Sequence, residues 1–393
     1  IRIVVWWSFF TALTGLVGYP FYNFAIGLTG LEIIRFLFGM GEAGAYPNLT
    51  RALHNWFPYS ERGLAQGSVW MAGRLMGGLT PLVWMILVEA IGLSWRTAFF
   101  LFGGVGIVWC IAFAAWFRNR PDEMPTVNDT ERALIAEGRT DIEAGHAAVP
   151  WGRFLTSLNL WALCLMYFCT AYGWYFNINY LPTYLEQQHG VPRTSVLGAI
   201  YKGGPLWMGA AACLLGGWLS DRFIKRTGNR RWGRRAFGIA GHSLCAACFF
   251  LCPYMPNATF FFLAISIATF FNDLTMGPAW AVCQDIGKRY AAIAAGCMNT
   301  IGNLGGAAAS WVTGAILNSH LQTAADRLGV PLTELSDVQK IEALGPAYNV
   351  NFVMFGIVYL TAVILWFAVD PMQPVVEDAA SATSFGEHPH AAR

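Results

Sequence analysis

Two residues able to do chemistry, Arg35 and Glu42, lie in an apolar run spanning about residues 28–50. Seven positions at about 100° each return two side chains to nearly one helix face, about 10.5 Å apart along the axis. They can line one cavity without touching. An ionisable group in a bilayer core costs several kcal/mol unless it is paired or hydrated, so each is a functional candidate. A carboxyl group there can load and release a proton, and a guanidinium can grip a carboxylate through its bidentate fork. Glu42 is therefore a candidate proton carrier and Arg35 a candidate anion ligand. The alternative is a structural charge network that keeps the helix in register.

Other polar groups in apolar runs extend this set. Arg74 lies beside Gly73 and Gly77, small residues that let a second helix approach closely. It suits a planar carboxylate, or else an ion pair with a facing helix. Asp273, next to Asn272, could serve a proton, a hydroxyl-rich solute or a structural hydrogen bond. Tyr172, Tyr175, Phe176 and Asn179 share a helical face, as do Asn299, Asn303 and Ser310. Their hydroxyls and amides suit a solute with several OH groups. Asp221, Arg222 and Arg226 fall at a helix end and form a candidate charge latch, with a gating role and no contact to solute. The nine cysteines lie in apolar runs, and Cys245, Cys248 and Cys252, though at helical spacing, suggest no metal site, so packing residues are expected, with no metal or disulfide framework.

These residues need helices to position them. Of 393 residues, 55% are hydrophobic and 12% charged, with mean hydropathy +0.44. So little charge cannot cover a soluble surface, but it can face lipid. Ten apolar runs are long enough to span a bilayer, at about 3–22, 28–50, 64–91, 97–117, 158–185, 196–220, 236–254, 258–283, 291–317 and 349–369. Alternate connections, with Arg2 and Arg393, hold 18 of the 25 basic residues, against 4 in the others. The positive-inside rule places the rich set, and both termini, in the cytoplasm. The expectation is an all-α polytopic protein of the cell inner (plasma) membrane. It has a half bundle at 1–117, a cytoplasmic loop at 118–157, a second half bundle at 158–371 and a disordered cytoplasmic tail at 372–393. Four spans against six suggests a 6+6 bundle lacking its first two helices.

The run from Gly217 to Gly228, with Asp221, Arg222 and Arg226, resembles the G-x-x-x-D-R-x-x-x-R loop of the major facilitator superfamily. Arg35, Glu42, Ala43 and Pro47, followed by Trp56-Phe57-Pro58 and Glu61-Arg62, resemble its anion:cation symporter branch, which includes hexuronate, glucarate and galactonate transporters. Asn272 to Trp280 and Met298 to Gly306 resemble that branch's helices 10 and 11. The resemblance implies a two-half bundle with ten of twelve transmembrane helices present. It also implies alternating access and proton-coupled symport of a small organic anion such as a sugar acid.

Several classes are excluded or unsupported. A net charge of +2 without exposed aromatic-basic interleaving argues against nucleic-acid binding. Neither a phosphate-cradling G-x4-G-K-[ST] loop nor a nucleophile–base or metal-ligand spacing is present, so no enzyme activity, cofactor or metal is expected. The expected partners are an organic anion, protons and the lipid bilayer, with the chain acting as a monomer. A non-transporting membrane receptor, or an inactive remnant of a transporter, is the competing reading.

Overall fold

The computed structural model describes residues 1–17, 24–58, 60–136, 148–192 and 195–376, and every regular element among them is helical. The first part holds α1 (Arg2–Thr14), α2 (Phe24–Glu42), α3 (Ala45–Trp56), α4 (Arg62–Trp84) and α5 (Trp95–Trp116). A π-helical turn, Met85–Ala90, extends α4. Two short helices, α6 (Asp129–Ala136) and α7 (Trp151–Thr156), lie on the connection. The second part opens with α8 (Leu158–Asn179), α9 (Leu181–His189), α10 (Val196–Thr227) and α11 (Arg230–Leu251). It closes with α12 (Ala258–Asp273), α13 (Met276–Gly287), α14 (Ala291–Leu328) and α15 (Asp337–Ala368).

Three of the expected spans are broken rods. Proline cannot donate to the carbonyl four residues back, and its ring crowds that carbonyl. Pro47 and Pro278 therefore meet the α2/α3 break at Ala43 and the α12/α13 break at Leu274, while Pro182 opens α9 just past Tyr180. Taking each broken rod as one gives ten rods among the described residues, as the apolar runs require. Five helical stretches are each long and apolar enough to cross a membrane by themselves. Starts follow the capping rule: the side chains of Ser94, Ser157, Ser195, Asn229, Asn257 and Ser336 accept backbone N–H bonds from the first turn.

Polar boundaries shift outward from the sequence expectation. Residues 318–348 are mostly helix, because α14 runs on to Leu328 and α15 begins at Asp337. The tail expected to be disordered from 372 is corrected for 372–376. There the Gln373 carbonyl accepts from Asn159 at 2.9 Å, and the Val375 N–H donates to Ile286 at 2.9 Å. Residues 377–393, the 137–147 part of the loop and the 18–22 end of the first span lie outside the described residues.

The parts meet most extensively along α4 and α10, which run antiparallel. A Cβ on Gly67 would strike the Cys213 carbonyl, and one on Gly203 would strike the Gly78 carbonyl. Only glycine allows this backbone-on-backbone approach, the usual way membrane helices gain contact. α8 packs on α14 and α15, and α1 on α2 and α5. Phe9, Phe36, Val108, Ile111, Trp311 and Ile364 remain exposed on the outside of the bundle, an apolar surface suited to lipid.

Candidate functional site

Where α4 faces α12, Arg74 and Asp273 form a buried bidentate ion pair. Arg74 Nε donates to Asp273 Oδ2 at 2.6 Å, and Nη2 to Oδ1 at 3.1 Å. The two side chains are 9% and 0% exposed. Asn272 Nδ2 donates to the same Asp273 Oδ1 at 2.8 Å, and its own Oδ1 accepts from the Tyr359 hydroxyl at 2.9 Å. α10 makes room through Gly209, where a Cβ would collide with Asp273 Oδ2. The sequence left Arg74 open between a substrate carboxylate and a facing helix, and the structure supplies the helix partner.

Aromatic rings enclose the pair. The guanidinium carbon of Arg74 lies 4.0 Å from the Trp174 ring centre and 5.3 Å from that of Trp70. Tyr46 stacks on Trp70 at 4.3 Å, and Trp280 closes the group at 5.2 Å from Trp70, its indole N–H donating to the Tyr167 hydroxyl at 3.2 Å. None of these five aromatics was singled out from the sequence. One signal was available: Trp70 and Arg74 are four apart on α4, hence on one face.

The polar row splits in two. Tyr175 donates to Asn303 Oδ1 at 2.9 Å, Asn303 Nδ2 donates to the Asn299 carbonyl at 2.9 Å, and Asn179 Nδ2 donates to Ser310 Oγ at 2.7 Å. Asn303 and Asn179 are exposed and Asn299 half-buried, giving an accessible polar strip between α8 and α14. Tyr172 does not join it, a correction to the shared-face expectation. Its ring is buried against Phe355, and Phe176 beside it packs on Phe352. The cause is that α8 is covered by α14 on one side and by α15 on the other, so the roughly 60° between positions three apart decides the environment. Asn272 is likewise 1% exposed and fully engaged inside the second part, so its amide is not open to solute.

Glu42 ends α2 and is exposed, close enough to Arg35 and to the Tyr46 and Tyr175 hydroxyls for its charge to act on them. Arg74 acts on the same two tyrosines. Arg35 is exposed, its guanidinium 5.7 Å from the Phe38 ring and 5.9 Å from that of Phe99 on α5. Thus Glu42, Arg74, Asp273, Tyr175 and Asn303 share one region, and Arg35 borders it through Glu42.

The basic-rich end of the bundle holds a second cluster. Asp221 does not pair with Arg222 or Arg226, which corrects the expected latch. Those two lie about 100° and 140° away around α10 and are exposed; Arg222 covers the Trp218 ring at 5.2 Å. Asp221 Oδ1 instead accepts from Arg234 Nη1 of α11 at 2.8 Å, and its Oδ2 from the Leu64 N–H at the start of α4 at 2.7 Å. Arg234 also lies 3.5 Å from Asp285 of α13, which is 3.8 Å from Arg62 of α4. Lys225 adds a surface bond to Glu61 at 3.0 Å. Asp221 lies just beyond the apolar run of about 196–220. Burial pushes its carboxyl above the usual value, against the opposing pull of Arg234 and the Leu64 N–H.

Ten helical rods with lipid-compatible outer faces, meeting along a glycine seam around buried charge, define a multi-pass α-helical membrane protein. The chain belongs to the Major Facilitator Superfamily, whose profile matches residues 2–310, as the loop and α2 motifs led us to expect. It is 35% identical over 297 residues to the probable sulfoacetate transporter SauU of Cupriavidus necator, covering 75% of this chain and 65% of that protein. It is 30% identical to the probable galactarate/D-glucarate transporter GudP of Escherichia coli, covering 78% and 69%. To the chloroplastic ascorbate transporter of Arabidopsis thaliana it is 27% identical, covering 80% and 56%. The chain therefore spans only part of the length of these relatives. Among solved structures, a bacterial homologue of the lysosomal transporter Spinster superposes with a TM-score of 0.61 at 18% identity, covering 93% of this chain and 81% of that one. FucP superposes with a TM-score of 0.52 at 14% identity, covering 92% and 82%. These two likenesses concern the fold.

Proposed function

We propose that the protein carries a small organic anion, such as a sugar acid or a small sulfonate, across the plasma membrane by proton-coupled alternating access. The observation that carries this reading is Arg74, a buried cation held where the two parts meet, with an accessible strip of amides and hydroxyls nearby. A cation in that position selects an anion, and the strip suits hydroxyl groups on the rest of the solute. The named activities of the relatives, which include sulfoacetate, glucarate and ascorbate transport, support the substrate class.

Glu42 is the coupling group in this scheme, because it is exposed beside the central region and no ion pair holds it among the described residues. Arg35 tunes Glu42 or receives a second anionic group. The Asp221–Arg234–Asp285 cluster holds the basic-rich end shut, and that end faces the cytoplasm. In this scheme the monomer is the working unit.

The test is uptake into proteoliposomes by the purified protein, with labelled D-glucarate, D-glucuronate and sulfoacetate, each with and without an inward proton gradient. Gradient-stimulated accumulation with acidification of the lumen is expected for at least one of them. Saturable binding without uptake would make the protein a receptor and overturn the transport reading.

A further inference from the structure

Arg74 is only half used by its partner, and the two rings beside it carry buried donors with nothing to bond. We propose that the open edge of Arg74, with the indole N–H groups of Trp70 and Trp174, forms the site for one oxyanion of the solute, and that Asp273 is the residue that positions it. This rests on the transport reading and names the site within it.

A guanidinium has five N–H groups arranged around its edge. Asp273 takes the Nε and one Nη2 hydrogen on one side. The two Nη1 hydrogens and the remaining Nη2 hydrogen make a second fork. Nη1 has no hydrogen-bond partner among the described residues and is not sealed from the surface. It therefore faces accessible space. Trp174 and Trp70 lie over the guanidinium, so approach is left to the in-plane edge, which matches the two oxygens of a carboxylate or sulfonate.

Two independent donors point to the same kind of ligand. Trp70 Nε1 and Trp174 Nε1 are both buried and meet no acceptor among the described residues. Buried donors are ordinarily paired, and an oxyanion between these rings would give both an acceptor. Trp70 is 6% exposed, so bulk water does not relieve it.

Asp273 is suited to positioning, and poorly suited to proton carriage. Its two oxygens receive three N–H donors, from Arg74 twice and from Asn272 once. Protonation would remove the charge that strengthens its bonds to Arg74. The donor chain runs from the Tyr359 hydroxyl to Asn272, from Asn272 to Asp273, and Asp273 in turn holds Arg74. Each member has its orientation fixed by the one behind it, and Gly209 leaves no slack on the α10 side.

The experiment titrates the purified protein with D-glucuronate, D-gluconate and methanesulfonate, reading tryptophan fluorescence, with glucose as the uncharged control. The wild type should bind at least one oxyanion and not glucose. Trp70→Phe and Trp174→Phe keep a ring over the cation but remove the N–H, and each should weaken oxyanion binding several-fold. Asp273→Asn should weaken it by about tenfold or more, with Asp273→Glu recovering part of the loss. The shape of the uptake pH profile should be unchanged in Asp273→Asn, which separates positioning from proton carriage. Wild-type affinity in either tryptophan variant or in Asp273→Asn overturns the site, as does a wild type that binds none of the three anions. Loss of proton coupling with retained affinity in Asp273→Asn overturns the positioning role. Because binding is read apart from uptake, a protein that binds but never transports leaves this site standing while the transport reading falls.

Discussion

Replacing Arg234 by methionine should open the basic-rich end of the bundle. Arg234 is 0% exposed, donates to Asp221 at 2.8 Å and to Ser220 at 2.9 Å, and lies 3.5 Å from Asp285. Methionine fills much of the volume but leaves two buried carboxylates together, with Asp285 keeping only Arg62 at 3.8 Å as its ion-pair partner. Removing one partner of a buried ion pair costs about 3–5 kcal/mol. Asp221 keeps the Leu64 N–H at 2.7 Å, which places the loss near the low end, at about 3 kcal/mol. At 1.36 kcal/mol per tenfold, that moves the closed-to-open balance on the order of 100-fold. The readout is mass-resolved alkylation of Cys283, which is 0% exposed and two residues from Asp285, by a membrane-permeant maleimide. Arg234→Met should label much faster than wild type, and adding Asp221→Asn and Asp285→Asn should slow it again by removing the orphaned charges. Unchanged labelling in the single variant, or no recovery in the triple, would refute the argument that Arg234 closes this end by neutralising two acids.

Four further outcomes are expected. Glu42→Gln should lose concentrative uptake yet retain exchange of labelled for unlabelled solute in counterflow, and equal concentrative uptake would remove Glu42 as the proton carrier. Arg35→Lys keeps the charge but loses the planar fork, so it should raise the KM for uptake more than it lowers kcat. Asp221→Asn should be compared with wild type across pH by thermal unfolding. Because the folded carboxyl is raised above 3.8, between the two values the folded wild type holds a proton that the unfolded chain has released, so it should gain stability on the variant as pH falls through the raised value toward 3.8. Gly67→Ala puts a Cβ against the Cys213 carbonyl and should lower thermal stability by about 1–3 kcal/mol, while the same change at Gly104, which has open space around it, should be nearly neutral.

Sequence and structure agree where the signal is local. Runs of apolar residues gave ten rods, because lipid exposure imposes composition over about 20 residues at a time. Seven-residue spacing correctly set Glu42 and Arg35 near each other, since helix geometry alone decides it. Partners from distant parts of the chain were not legible. Arg74 and Asp273 are 199 positions apart, and Asp221 and Arg234 belong to different helices, so only packing of α4, α10, α11 and α12 could pair them. Tyr172 and Tyr175 carry the same chemistry three positions apart, yet one is core and the other accessible. What separates them is which neighbouring helix covers that side of α8, and periodicity carries no record of it. Trp70 and Trp174 were invisible for a related reason: in a chain with 17 tryptophans, a ring beside a guanidinium looks like any other apolar filler.

The Arg74–Asp273 pair has an electrostatic consequence for any anion that enters. Taken together, one positive and one negative charge amount to a neutral object, so the enclosure is already balanced when empty. An arriving carboxylate therefore brings a net negative charge into a low-dielectric space with no counter-charge left over to cancel it. A guanidinium already neutralised by its acid leaves that charge to be met by a cation entering with the anion, and in the proposed scheme the proton taken up at Glu42 meets it.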